Sequence, residues 1–151
     1  GLWVKNNPES KRKTELLVIG EIQNPAAFEA LALPARLVGK LTDSKKMAEY
    51  YAAADVFVTP SLEENLPNTI MEALSCGTPC VGFAIGGIQE MIKTGVNGYL
   101  ATPRDEKDLT KGIIEVLNSS LNLEEGARNW MLEKYSNEVI AKQYLKVFNE
   151  A

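Results

Sequence analysis

Short apolar runs ending in turn residues alternate with stretches of helical periodicity through the first hundred or so residues, and no other feature leaves this chain so little freedom. Strand, helix, strand in that rhythm is the signature of βαβ units in a parallel sheet. The strand-like runs are Leu16 to Ile19, Arg36 to Val38, Val56 to Thr59, Cys80 to Phe83 and a weaker Tyr99 to Leu100, each flanked by Gly, Pro, Asn or Asp. Between the second and third, Met47, Tyr50, Tyr51 and Ala54 recur at i, i+3, i+4 and i+7. One face of that helix is therefore apolar and packs on the sheet, while Lys45, Lys46 and Glu49 face water. After Leu100 the pattern changes. Leu109, Ile113, Val116 and Leu117 mark one amphipathic helix, and Ile140, Tyr144, Val147 and Phe148 mark another, so the C-terminal third is helical. No repeat, low-complexity tract or linker divides residues 1–151, which read as a single domain.

Composition narrows the class further. With 45% hydrophobic residues and a net charge of −4, the 151-residue chain is neither disordered nor fibrous. A spanning helix needs about 20 consecutive apolar residues, and runs such as Leu16 to Gly20 and Val81 to Ile88 fall far short. Gly1 to Lys13 lacks the basic-then-apolar order of a signal peptide. A pI near 5.0 argues against a nucleic-acid or anionic-membrane binder, and Lys11 to Lys13 reads as a solvated loop. Cys76 and Cys80 sit in apolar surroundings around a helix-to-strand turn, which suits buried, unreactive thiols and a reducing, cytoplasmic setting. The chain has no histidine, which removes His metal sites and His-based triads together. Gly1 to Val4 reads as the last turn of a helix whose beginning would lie upstream.

Parallel sheets bind ligands at the carboxyl ends of their strands, so the loops after Val38, Thr59 and Phe83 are the candidate sites. Thr59 to Asn68 carries two adjacent carboxylates, Glu63 and Glu64, and two prolines, and leads into a helix opened by Thr69-Ile70-Met71-Glu72. Free N–H groups at such a helix start attract phosphate. Two readings of Glu72 stand side by side. Thr-x-x-Glu is a capping box, in which Glu72 returns a hydrogen bond to the Thr69 backbone, and the same glutamate can face a ligand. For Glu63 and Glu64 a solvated loop pair stands beside a functional role. Gly86 and Gly87 permit either a tight turn or close approach of a ligand, whereas Gly95 to Gly98 reads as a turn before a short edge strand. Neither a P-loop nor G-x-G-x-x-G occurs.

The order of these loops resembles the donor-binding half of the group 1 (family 4) glycosyltransferases. The stretches that carry the likeness are Ala54 to Ser61, Glu64-Asn65-Leu66-Pro67-Asn68-Thr69-Ile70-Met71-Glu72-Ala73-Leu74, Cys76 to Gly82 and Gly86-Gly87-Ile88-Gln89-Glu90. At its centre is the family's pair of glutamates separated by seven residues, Glu64 and Glu72. The resemblance covers essentially the whole chain, from the Leu17 to Glu21 strand end to the Asn97 to Leu100 turn. It implies a Rossmann-like, three-layer α/β domain with a parallel sheet of about five or six strands and a helical C-terminus, one half of a GT-B enzyme. It also implies retaining transfer of a hexosyl group from a nucleotide-sugar to a saccharide or lipid-linked acceptor, in polysaccharide biosynthesis, with no metal required. By the resemblance Glu72 holds ribose hydroxyls and Glu64 lies by the donor sugar with Asn65. The backbone at Asn68, Thr69 and Ile70 donates to the diphosphate, Gly86 and Gly87 line the donor, and Gly39, Lys40 and Leu41 align with the turn near the base. The acceptor would dock on an N-terminal domain, and the full-length enzyme would associate peripherally with the inner face of a membrane.

Two departures stand out. The family's Arg and Lys, which neutralise the departing diphosphate, belong to a strand that would precede Gly1; Arg36 and Lys40 are not substitutes. The common E-G-F-G loop is replaced by Glu64-Asn65-Leu66-Pro67, whose missing glycines could narrow sugar choice. A GT-B sugar-nucleotide epimerase would share the architecture but usually relies on histidine. A noncatalytic, nucleotide-responsive or partner-binding α/β module is the alternative from outside the enzymes.

Overall fold

The computed structural model describes residues 14–22, 24–31 and 33–150. The basic run Lys11 to Lys13 and the helical turn expected at Gly1 to Val4 lie outside them. The chain divides into two compact units, one ending at Met47 and the other beginning at Ala48.

In the first unit, β1 (Leu16–Ile19) pairs in parallel with β2 (Ala35–Gly39), with Leu16 opposite Ala35 and Val18 opposite Leu37. A short helix α1 (Pro25–Glu29) lies between them in sequence, as a parallel crossover demands. Pro25 suits its first turn, where a missing N–H costs nothing.

The helix α2 (Ser44–Ala53) follows, and the second unit holds a parallel sheet in the order β3 (Phe57–Thr59), β4 (Cys80–Phe83), β5 (Gly98–Ala101). β4 is central and all four of its residues are buried, as expected of a parallel strand covered on both faces. Its alternating side chains show the layers. Val81 clusters with Val116 and Leu123 and with the half-buried Tyr99, Leu109 and Ile113, which seats α5 (Glu106–Leu117) on one face. Gly82 points the other way, where a Cβ would stand 3.3 Å from the side chain of Ile88 in the short helix α4 (Ile88–Met91). The helix α3 (Asn68–Ser75) inserts Ile70, Ala73 and Leu74 into the core, and α6 (Leu123–Tyr135) packs against it. The final helix, α7 (Asn137–Glu150), buries no residue; Tyr144, Leu145, Val147 and Phe148 of its apolar side are exposed.

The three layers expected from sequence are present in the second unit, and the described strands number five, all paired in parallel. Hydrogen bonding divides the five described strands into a pair and a set of three. Among the described residues, no helix is long and apolar enough to cross a membrane.

Candidate functional site

The loop between β3 and α3 is built around a relay of hydroxyls. Thr59, the buried last residue of β3, lies with its Oγ1 3.2 Å from Ser61 Oγ, and Ser61 Oγ donates to Glu64 Oε1 at 3.1 Å. A hydroxyl carries one hydrogen. Since that of Ser61 goes to the carboxylate, Thr59 supplies the hydrogen of the other bond. Glu64 is thus half-buried and oriented from the strand end, whereas Glu63 is exposed, as the solvated reading expects of it.

The backbone of the same loop rests on the glycine pair. The Gly87 N–H donates to the Asn65 carbonyl at 2.6 Å. A Cβ on Gly86 would fall inside the Glu64 carbonyl oxygen and 3.0 Å from its carbon, and one on Gly87 would overlap the Asn65 carbonyl oxygen and lie 3.1 Å from its carbon. Gly86 also has a φ of +45°. Both glycines are therefore required by backbone-to-backbone contact with the loop that carries Glu64 and Asn65, a reason that neither the tight turn nor the ligand reading contained.

The start of α3 sets it apart from the longer capped helices of the unit. Asp105 caps α5 by accepting from the Lys107 and Asp108 N–H groups, and Asn122 caps α6 by accepting from Glu125. At the N-cap of α3 stands Pro67, with no side-chain hydrogen bond to give, and no acidic residue occupies the first turn. The Ile70 N–H donates to the Pro67 carbonyl at 3.1 Å, which leaves Asn68 and Thr69 as the outward donors, two residues rather than the three expected. The opposite end of α3 is closed firmly. Gly77, at φ +83°, donates to Leu74, and Thr78 donates to Ala73, the two bonds of a Schellman turn; the Arg128 guanidinium donates to the Ser75 carbonyl.

Glu72 lies one turn into α3, on the side of Asn68. It forms no capping box, because the helix begins at Asn68 and Thr69 is already inside it. Its Oε2 instead accepts a hydrogen bond of 3.1 Å from the Tyr51 hydroxyl, and the rest of the side chain is exposed. Burial first, and then the charge of Glu72, push the Tyr51 phenol up, so it remains a donor throughout the ordinary pH range. Sequence periodicity had placed Tyr51 merely on an apolar face; the signal it offered was a hydroxyl on a buried ring, which needs a partner. The Ser61 and Thr59 hydroxyls likewise carry no local sequence signal beside the carboxylates.

In the first unit, a cavity of about 670 Å³ opens beyond the ends of β1 and β2, lined by Gly20, Glu21, Phe28, Leu37, Gly39 and Lys40 among others. Gly39 is on this wall and Leu41 is not. Of the two cysteines expected to be buried, Cys80 is fully buried and Cys76 only partly; burial raises both thiols, with the Arg128 charge pulling Cys76 the other way.

Residues 3–119 match the family described as glycosyl transferases group 1. The chain is 43% identical over 82 residues to a D-inositol 3-phosphate glycosyltransferase of Geodermatophilus obscurus, a match covering 54% of this chain and 18% of the relative. It is 31% identical over 137 residues to the N,N'-diacetylbacillosaminyl-diphospho-undecaprenol alpha-1,3-N-acetylgalactosaminyltransferase of Campylobacter jejuni, covering 89% and 36%. Among solved structures, a Staphylococcus aureus TarM variant in complex with fondaparinux, alpha-GlcNAc-glycerol and UDP superposes with a TM-score of 0.72 at 27% identity, over 98% of this chain and 31% of that one. The chain thus spans about a fifth to a third of the length of these proteins.

Proposed function

The chain belongs to the group 1 glycosyltransferases, and from that premise we propose that it is the donor-binding domain of a GT-B enzyme, holding a nucleotide-sugar while a hexosyl group passes with retention to a saccharide or lipid-linked acceptor. The observation that carries the proposal is the start of α3: a helix end without a side-chain cap or first-turn carboxylate, followed one turn later by an exposed glutamate held from behind by Tyr51. Such an end suits a diphosphate, which takes its hydrogen bonds from the Asn68 and Thr69 N–H groups and its charge complement from the helix dipole. Ile70 contributes less, its N–H being engaged with Pro67. Glu72 then accepts from the ribose hydroxyls.

Transfer separates charge. Positive charge develops on the sugar ring as the bond to the diphosphate breaks, and negative charge on the leaving oxygens. The α3 terminus stabilises the leaving group without a bound metal, and the Glu64 carboxylate, oriented by Ser61, favours the oxocarbenium-like ring. Asn65, Gly86 and Gly87 shape the wall behind the sugar, and Gly39 and Leu41 are assigned to the base on the family likeness alone. Supporting this ligand class, the TarM neighbour is described with UDP, and the Campylobacter relative is named for a lipid-linked acceptor. A cytoplasmic enzyme working peripherally at the inner membrane face fits that acceptor chemistry.

The test is titration with nucleoside diphosphates, followed by amide chemical-shift mapping. Perturbations centred on Asn68 to Glu72 are expected. Perturbations confined to α6 and α7, with α3 silent, would sink the assignment.

A further inference from the structure

We infer that Tyr51 is a positioning residue for nucleotide recognition: its hydroxyl fixes Glu72 through Oε2 and so turns the other carboxylate oxygen towards the ribose hydroxyls, an inference that rests on the ribose reading of Glu72 above.

Tyr51 is tied down at several points. It is 6% exposed, and its ring meets Phe57 of β3 edge-on at a centroid distance of 5.5 Å and an interplanar angle of 81°. Its carbonyl accepts from the buried Thr78 hydroxyl at 2.6 Å and from the Ala54 N–H at 3.0 Å. Thr78 is also the residue whose N–H closes the C-terminal turn of α3. One tyrosine therefore holds α3 twice, at the turn that ends it through its carbonyl, and at Glu72 through its hydroxyl. The distance between phenol and carboxylate is set by the fold rather than by the flexible stem of the glutamate.

That matters because Glu72 is exposed. A solvated glutamate samples many rotamers, and ordering one of them on binding weakens affinity; a rotamer fixed in advance removes that cost. The phenol donates one hydrogen and occupies one oxygen, leaving Oε1 with both lone pairs for hydroxyl donors. A hydrogen bond to an ionised acceptor is also stronger than one between neutral groups, so the anchor suits its task.

A purely structural role would be the reverse, with Glu72 present only to satisfy a buried phenol. The two roles separate by ligand. The chain is titrated with UDP, GDP and ADP, and the tightest binder is compared with its own 2′,3′-dideoxy analogue in the parent, Tyr51→Phe, Glu72→Ala and the double variant. Tyr51→Phe keeps the ring against Phe57 and the carbonyl bonds. It is expected to weaken the ribonucleotide about fivefold, the scale of one net hydrogen bond, and to leave the dideoxy analogue unchanged. In the Glu72→Ala background, Tyr51→Phe is expected to change neither. Equal loss for both nucleotides, or loss for neither, overturns the role of Tyr51, while the preference of the parent over Glu72→Ala for the ribonucleotide still reports separately on the ribose reading. If the parent binds none of the three diphosphates, the site assignment falls and the role of Tyr51 falls with it.

Discussion

Substituting Gly86 with alanine tests whether the loop bearing Glu64 is held by backbone contact. At φ +45° an alanine adopts a left-handed conformation, which costs about 1 kcal/mol. Its Cβ would also overlap the Glu64 carbonyl oxygen and lie 3.0 Å from the carbon. A flexible side chain could rotate away from that methyl, but a peptide group cannot, so the Glu64-Asn65 segment must shift as a unit. Forcing a group into a filled site costs about 1–3 kcal/mol, which brings the total to about 2–4 kcal/mol. Gly95 supplies the internal control. It too is left-handed, at φ +78°, yet nothing lies within 4 Å of its would-be Cβ. Gly95→Ala is therefore expected to cost only the conformational part, about 1 kcal/mol. Urea unfolding of both variants measures the difference, and nucleotide-sugar titration shows whether the shifted loop also weakens the donor. Equal destabilisation by the two alanines, with donor affinity retained in both, would show that the glycine is there for its φ alone and that the contact has no part in holding Glu64.

The remaining expectations concern single side chains. Ser61→Ala removes the hydroxyl that orients Glu64, so a nucleotide-hexose should bind about threefold more weakly while the free nucleoside diphosphate is unaffected; parallel titrations decide it, and equal losses would place the fault in the fold instead. Asp108 accepts from the Thr102 N–H, the Thr102 hydroxyl and the Tyr99 hydroxyl, and these bonds hold its carboxyl down at about 2 against an ordinary 3.8. A lowered carboxyl stabilises the fold above its unfolded value and loses that contribution as pH falls from about 4 towards 2. Urea midpoints across that window should therefore decline more steeply in the parent than in Asp108→Asn, and parallel slopes would remove Asp108 from the acid response. Cys80, buried and raised by burial, should resist a thiol reagent at pH 8 until denaturant is added; rapid labelling of the folded chain would contradict its placement.

The sheet strands were legible because each is bounded by residues that cannot continue it. The runs at Leu16 and Cys80 coincide with β1 and β4, and the others differ by a residue at one end or both. Strand pairing was less legible, since periodicity reports which face a residue takes but not which neighbour its backbone meets. The carboxylates of the site were visible as residue types at a family spacing; the groups that aim them were not. Ser61 read as one small polar residue among several in its loop, and Tyr51 as part of an apolar stripe, because a hydroxyl's partner is fixed only when distant segments come together.

The start of α3 differs from its local pattern for the same reason, with a larger consequence. Thr69 and Glu72 satisfy the capping-box pattern letter by letter, yet the pattern works only if the threonine stands outside the helix with an extended backbone. Pro67 takes that place instead, at φ −71° and ψ 116°, and moves the first helical residue to Asn68. Had Thr69 been the cap, its hydroxyl would have met the first-turn donors and Glu72 would have turned back towards the chain. With Pro67 there, no side chain of the cap competes for the Asn68 and Thr69 N–H groups, and Glu72 is released to Tyr51. A single residue without a side-chain acceptor thus leaves the helix end uncapped and the glutamate in the hands of Tyr51, and on those two features the proposed nucleotide site rests.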